Sequence, residues 1–122
     1  MKKYNLFLDD ERTPKDVLNY SDNQIYIQVP WFIVRNYDQF CTTVKEEGIP
    51  NIVSFDHDIA DFRRIGNESV ELTGYHCAKW LIDYCMDHNL ELPETVLVHS
   101  KNIVGVKNIE SLFKTYKKVY GK

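Results

Sequence analysis

The sequence has no apolar run near the roughly eighteen residues that a membrane-spanning helix needs. It also lacks a strong charge of either sign. Fifteen Lys and Arg stand against eighteen Asp and Glu, a formal net charge of −3, which argues against broad, nonspecific nucleic-acid binding. Cysteine is scarce: Cys41, Cys77 and Cys85 are an odd set with no CxxC spacing. They read as free thiols in a reducing cytosol, used as core filler. Repeats, low-complexity segments and linkers are absent, so residues 1–122 read as one domain with enough chain for a real core. The start, Met1-Lys2-Lys3, leads directly into an apolar run. No signal peptide is expected, and the expected location is cytoplasmic.

Two short apolar runs each end in acid. Asn51-Ile52-Val53-Ser54-Phe55 leads into Asp56-His57-Asp58, and Tyr4-Asn5-Leu6-Phe7-Leu8 leads into Asp9-Asp10-Glu11. Runs of this length, bounded by polar residues and by Pro50, read as buried strands. A buried strand does not carry unpaired charge in its middle, because desolvating it is costly. The acids therefore belong at the carboxyl ends, the edge where open α/β sheets bind ligands. If the two strands are parallel neighbours, Asp9, Asp10, Asp56 and Asp58 meet in one crevice. Crowded carboxylates raise one another's pKa unless a cation neutralises them. A hard divalent ion, Mg²⁺ ahead of Mn²⁺, is the simplest neutraliser. The alternative is a scatter of surface acids.

Further along, Pro14 disfavours helix at Thr13, and residues 15–24 are polar without a helical stripe, so a long loop is expected. Ile25 to Val29 reads as an extra extended piece, and Trp31-Phe32-Ile33-Val34 as the second core strand with Arg35 at its end. Asp38 and Gly48 are candidate caps of a helix that buries Phe40, Cys41 and Val44. Residues 59–72, holding Arg63, Arg64 and Gly66, read as a polar loop, either a lid or an ordinary surface excursion. Thr73 caps a strong helix with Gly74, Ala78, Leu81, Ile82 and Cys85 on one face. Its N-terminal N–H groups, at Thr73-Gly74, favour a phosphate. Thr95 to Val98 is the fourth strand, ending in His99-Ser100-Lys101-Asn102. Gly105 and Asn108 punctuate the next turn. A last helix turns Ile109, Leu112, Phe113, Tyr116 and Tyr120 inward, and Lys114, Lys117, Lys118 and Lys122 lie on its polar face or just past it.

Strands alternating with helices imply a parallel sheet with crossovers. The order of elements resembles the receiver domain of two-component signalling, with Asp9, Asp10, Asp56 and Ser100 at positions matching its metal-binding acids, its phosphoryl-accepting aspartate and its Ser/Thr. The chain departs from that pattern. Only Lys101 and Asn102 separate Ser100 from Ile103, and a parallel crossover needs about a dozen residues. Ile103 to Val106 therefore cannot be a fifth parallel strand, nor Lys107 its lysine, and the helix after the first strand is not evident. The motifs Leu8-Asp9-Asp10-Glu11-Arg12-Thr13-Pro14, Ser54-Phe55-Asp56-His57-Asp58, Thr73-Gly74-Tyr75 and Val98-His99-Ser100-Lys101-Asn102-Ile103-Val104-Gly105 resemble those of the cyclic-phosphate-processing receiver-like family. The resemblance implies a truncated, flavodoxin-like three-layer α/β fold of about four parallel strands and three main helices.

Function is read as a metal-dependent phosphoesterase acting on a cyclic or terminal nucleotide phosphate, such as an RNA end. The rivals are a receiver that accepts phosphoryl at Asp56 and a nucleotide-binding module without turnover. Asp9, Asp10 and Asp56, with Asp58, are the candidate metal ligands. His99, at the end of a strand facing the crevice, is the first candidate to protonate the leaving oxygen, with His57 second; His57 is equally readable as structural. Arg12 and Arg35 either bind phosphate or pair with the acids. Ser100, Lys101 and Asn102 are expected to contact phosphate oxygens. His76 and His88 lie on a helix and are not expected to be catalytic.

Overall fold

The computed structural model describes residues 4–120, with side chains through Lys117. The readings for Met1, Lys2, Lys3 and Lys122, and for the side chains of Lys118 and Tyr120, lie outside the described residues.

Strand β1 (Asn5–Leu8) is followed by helix α1 (Pro14–Ser21), a single turn α2 (Ile25–Gln28) and strand β2 (Phe32–Val34). Helix α3 (Tyr37–Glu47) leads to β3 (Ile52–Phe55), and an antiparallel hairpin, β4 (Asp61–Ile65) and β5 (Glu68–Leu72), precedes α4 (Gly74–Asp87). The chain closes with β6 (Thr95–Val98) and α5 (Ile103–Tyr120). The main sheet is four-stranded and wholly parallel, in the order β2-β1-β3-β6.

Side-chain alternation sends each strand's residues to opposite faces. Leu6, Leu8, Val53 and Phe55 pack with Phe40, Val44, Cys77, Ala78, Leu81, Ile109 and Phe113 under α3, α4 and α5. Phe7 faces the other way, against Val17 and Tyr26 from α1 and α2, with Leu97 and Trp31 beside them. The result is the expected three-layer, receiver-like α/β fold, truncated at four parallel strands. Among the described residues no helix is long and apolar enough to cross a membrane.

Several local expectations fail for identifiable reasons. Residues 14–21 are helical, not a loop. Thr13 is extended (φ −106°, ψ 165°) as Pro14 requires, but it is the N-cap, in a capping box with Asp16, and Pro14 is the first helical residue. Residues 25–28 form a helical turn, not an extended piece, burying Tyr26. Strand β2 is a sheet edge of three residues with Phe32 48% exposed, so it is only partly a core strand. Asn36, not Asp38, caps α3, accepting a hydrogen bond from the Gln39 N–H; Gly48 ends it as expected. Residues 61–72 are the β4–β5 hairpin, whose turn uses Gly66 at φ +62°. Gly105 and Asn108 lie inside α5 rather than in a turn. A Cβ on Gly105 would stand 2.4 Å from His57 Cγ, so the glycine serves close packing.

Candidate functional site

The chain runs outward from β1 to β2, then crosses back to β3 and on to β6. The reversal falls between β1 and β3, the place where ligands bind in such sheets. Leu8 pairs with Phe55, and Phe55 with Val98. The ladder continues one residue further: Asp56 N–H donates to Leu8 O at 3.0 Å and His99 N–H to Phe55 O at 2.9 Å. Asp9, Asp56 and His99 are therefore side by side on fixed backbone.

Asp9, Asp10 and Asp56 each offer a carboxylate oxygen, and the three atoms lie within 4.8 Å of one another. Two metal–oxygen bonds of about 2.0–2.6 Å span such a distance. They line a cavity of about 200 Å³ together with Asp58, Arg12, Ser100, Lys101 and Asn102. Burial, followed by the Asp9 charge, pushes the Asp56 carboxyl above its ordinary range, although His99, Arg12 and Ser100 pull it back in part. Burial also raises Asp10, with Asp9 and Glu11 adding repulsion. For Asp9 burial acts the same way, but hydrogen bonds from His99 and from the Arg12 and Glu11 N–H groups outweigh it and lower its pKa. Two carboxyl groups disfavoured as anions, within bonding reach of one point, fit a divalent cation. The all-oxygen donor set suits Mg²⁺ or Mn²⁺.

Asp9 is 1% exposed, and both of its carboxylate oxygens are hydrogen-bonded, Oδ2 keeping a lone pair to spare. Its Oδ1 accepts from the N–H groups of Glu11 (2.9 Å) and Arg12 (2.8 Å), which folds the acidic loop back over the strand end. Its Oδ2 faces His99 Nε2 at 3.1 Å. His99 Nδ1 is 2.7 Å from Ser54 Oγ, and Ser54 Oγ is 2.7 Å from Tyr26 OH. The imidazole lies flat on Phe7, ring centroids 4.5 Å apart and planes 4° from parallel. Nε2 facing a carboxylate carries a proton; with Nδ1 as acceptor, Ser54 donates to it and Tyr26 donates to Ser54. This buried relay seats Asp9. The geometry corrects the expectation that His99 reaches a leaving oxygen: the side chain has no exposure, and both ring nitrogens are bonded within the protein.

His57 is placed differently. Its ring sits on Gly105, its Nδ1 is 2.8 Å from Asp58 Oδ1, and Asn102 Nδ2 donates to Asp58 Oδ2 at 3.1 Å. The side chain is 17% exposed. Asp58 borders the cavity but stands outside the acid trio, spending its oxygens on His57 and Asn102. Hydrogen bonding from His57, ahead of that from Asn102, lowers its pKa.

The expected phosphate contacts divide. Arg12 Nη1 is 3.7 Å from Asp9 Oδ2 and donates to Tyr20 OH at 2.8 Å; Lys101 Nζ lies 4.7 Å from the Tyr20 ring centroid. Both cations line the cavity, and Tyr20, whose hydroxyl also donates to the His99 carbonyl, orders them. Ser100 is half-buried in the cavity wall, its Oγ accepting from the Asn102 N–H at 3.1 Å. Arg35 instead grips the loop from outside, donating to the carbonyls of Asp9 (3.0 Å) and Arg12 (2.6 Å). Asn102 caps α5, accepting from the Gly105 N–H at 3.0 Å while holding Asp58. At Thr73 and Gly74 the expected free N–H groups are already used. Gly74 N–H donates to His57 O at 2.7 Å, and Thr73 Oγ1 accepts from the Tyr75 N–H at 3.2 Å. A Cβ on Gly74 would fall 1.8 Å from the Asp56 carbonyl oxygen, so this glycine lets α4 start against the site.

Sequence reasoning missed Tyr20, Ser54 and Tyr26. Ser54 had a signal: a lone hydroxyl within a buried apolar strand needs a partner. Tyr20 and Tyr26 had none, because the segments holding them were not read as helical.

Comparison with protein families matches residues 4–115 to the cyclic-phosphate processing receiver domain. No curated protein and no solved structure matches the chain. The match covers nearly the whole chain, and the protein belongs to this family of receiver domains associated with cyclic-phosphate processing.

Proposed function

With membership of the cyclic-phosphate processing receiver family as premise, we propose that the protein is a metal-dependent phosphoesterase that opens a cyclic nucleotide phosphate, such as an RNA end. The observation that carries the reading is the acid trio, within 4.8 Å at the sheet's switch point, in a cavity also lined by Arg12 and Lys101. A site that only bound a cation would have no use for those cations; a site that bound only an anion would have no use for three carboxylates.

Asp9, Asp10 and Asp56 would hold a Mg²⁺ or Mn²⁺ ion, which when bound supplies charge neutralisation and an activated water. Arg12 and Lys101 take the phosphate's non-bridging oxygens, where negative charge grows as the reaction proceeds. Ser100 adds a hydroxyl contact. Asp58, itself held by Asn102, accepts the Nδ1 proton of His57 and orients the ring, so the imidazolium form holds the transferable proton at Nε2. In the reaction a bond forms between the water oxygen and phosphorus, and one ring P–O bond breaks. The proton at His57 Nε2 goes to the freed ribose oxygen, and the proton lost by the attacking water passes to solvent, from which His57 is recharged. His99 acts through Asp9, fixing its carboxylate.

A second reading, phosphoryl acceptance at Asp56, is favoured by the place of Ser100 beside Asp56 in the lining of the same cavity. A screen of nucleoside 2′,3′-cyclic phosphates and RNA ends with Mg²⁺ and Mn²⁺ separates the two. Ring opening supports the esterase. Labelling of Asp56 by a small phosphoryl donor, without ring opening, supports the receiver.

A further inference from the structure

A second cavity, of about 640 Å³, lies between the start of α4 and the middle of α5, lined by residues that include His57, Tyr75, His76, Asn108, Ser111 and Leu112. Its size falls in the range of small-molecule sites. Its lining is specific in kind. One phenol ring, two imidazoles and an aliphatic side chain offer flat, polarisable surface. A carboxamide and hydroxyls offer hydrogen bonds. Among the described residues no Lys, Arg, Asp or Glu lines it, whereas the acidic cavity has both signs of charge. A neutral, planar heterocycle with hydrogen-bonding edges is the ligand chemistry that matches, since aromatic side chains stack bases and neutral polar groups read their edges.

The groove and the acidic cavity share no described lining residue, and the His57–Asp58 pair stands between them. His57 lines the groove, and its Nδ1 is 2.8 Å from Asp58, which lines the acidic cavity. Gly105 holds the first turn of α5 against the His57 ring, where a Cβ would stand 2.4 Å from Cγ. Gly74 does the same for α4 against the Asp56 carbonyl. Two glycine contacts thus bring the two helices that wall the groove onto the residues flanking the metal ligands.

We propose that this α4–α5 groove is the nucleoside subsite, taking the base of a substrate whose cyclic phosphate sits among Asp9, Asp10, Asp56, Arg12 and Lys101. The inference rests on the phosphoesterase reading and extends it: the substrate is a nucleoside cyclic phosphate, recognised by its base, and not any small phosphodiester.

The test uses the full chain, the exposed variant Ser111→Trp, which fills the groove, and Ser111→Ala as control. Adenosine 2′,3′-cyclic phosphate is compared with glycerol 1,2-cyclic phosphate, which has the same five-membered ring and no base. Ser111→Trp is expected to raise KM for the nucleotide about 10–100-fold, the worth of one stacked base. Turnover of the glycerol ester should stay within about twofold, and Ser111→Ala, which loses one hydroxyl without filling the groove, should raise KM for the nucleotide by no more than about fivefold. Equal effects on both substrates, or none on either, overturn the subsite. The four common nucleosides, lacking phosphate, are also titrated while backbone amide shifts are followed. Shifts at Tyr75, Asn108 and Ser111 that vanish in Ser111→Trp support the subsite; no shift with any nucleoside overturns it. If no cyclic phosphate is turned over but nucleosides still bind the groove, the phosphoesterase reading fails and the subsite stands.

Discussion

Two histidines follow neighbouring parallel strands, each bonded to an aspartate, and they have opposite fates. His99, after β6, points to the α1–α2 face, is sealed, stacked on Phe7 and tied at both nitrogens. His57, after Asp56, points to the α4–α5 side, is partly exposed, and uses Nδ1 on Asp58. Rank along the strand does not assign the role. The packing partner does: an aromatic layer closes over one ring, and a glycine leaves room beside the other. A histidine with both nitrogens spent buried holds a ligand in place, whereas one with a nitrogen to spare can exchange a proton with a substrate.

The largest expected effects break this contrast directly. His99→Ala removes a hydrogen bond from buried Asp9 and leaves a cavity beside Phe7, and should cost about 3–5 kcal/mol of stability, seen as a drop in denaturation midpoint. His57→Ala should cost under about 1 kcal/mol of stability, yet lower turnover by about 10²–10⁴. The two losses appearing on the opposite residues would reverse the assignment. Next comes Gly74→Ala, whose Cβ would fall 1.8 Å from the Asp56 carbonyl. Helix α4 must retreat, at about 1–3 kcal/mol, and Asp56 and His57 shift with it. A stability loss with unchanged metal affinity would separate the helix from the site.

Ser54→Ala sharpens the comparison from inside the relay. It strips both His99 Nδ1 and Tyr26 OH of a partner, and the expected cost is about 1–3 kcal/mol, with His57-dependent turnover still present. The smallest effect is outside both regions. Asp61 on the hairpin accepts from Arg63 (2.7 Å) and the Tyr37 N–H (3.0 Å). The Arg63 hydrogen bond, chiefly, lowers its pKa. A carboxyl lowered by folding stabilises above its unfolded pKa and loses that contribution as pH falls through the folded value. Asp61→Asn should therefore cost about 1 kcal/mol at neutral pH, and the gap from wild type should close in acid. A gap that widens in acid would contradict the sign.

The strand ends were legible because burial forbids free charge in a sheet's middle: Asp9 and Asp56 had to sit at the exits of β1 and β3. Thr73 was legible as a cap because its hydroxyl oxygen can accept from a free N–H of the helix's first turn. What stayed hidden depends on partners distant in sequence. Pro14 carries the same backbone preference whether it ends a loop or starts a helix, and only Val17 packing under Phe7 decides for α1. The hairpin's Asp61, Arg63 and Ile65 share a face, but charged and apolar residues alternate irregularly there, so no period-2 signal arises. That Gly74 and Gly105 sit within helices for close approach is visible only once Asp56 and His57 lie against them. The helix-terminal N–H groups were expected to be free because a sequence does not show which carbonyl will reach them; the His57 carbonyl does.

The most direct test of the central claim is turnover of adenosine 2′,3′-cyclic phosphate by metal-stripped protein before and after Mg²⁺ or Mn²⁺ is restored, with Asp56→Asn alongside. The account predicts no ring opening without metal, recovery in wild type on adding it, and none in a folded Asp56→Asn protein. Ring opening that survives chelation, or that Asp56→Asn leaves unchanged, would contradict it.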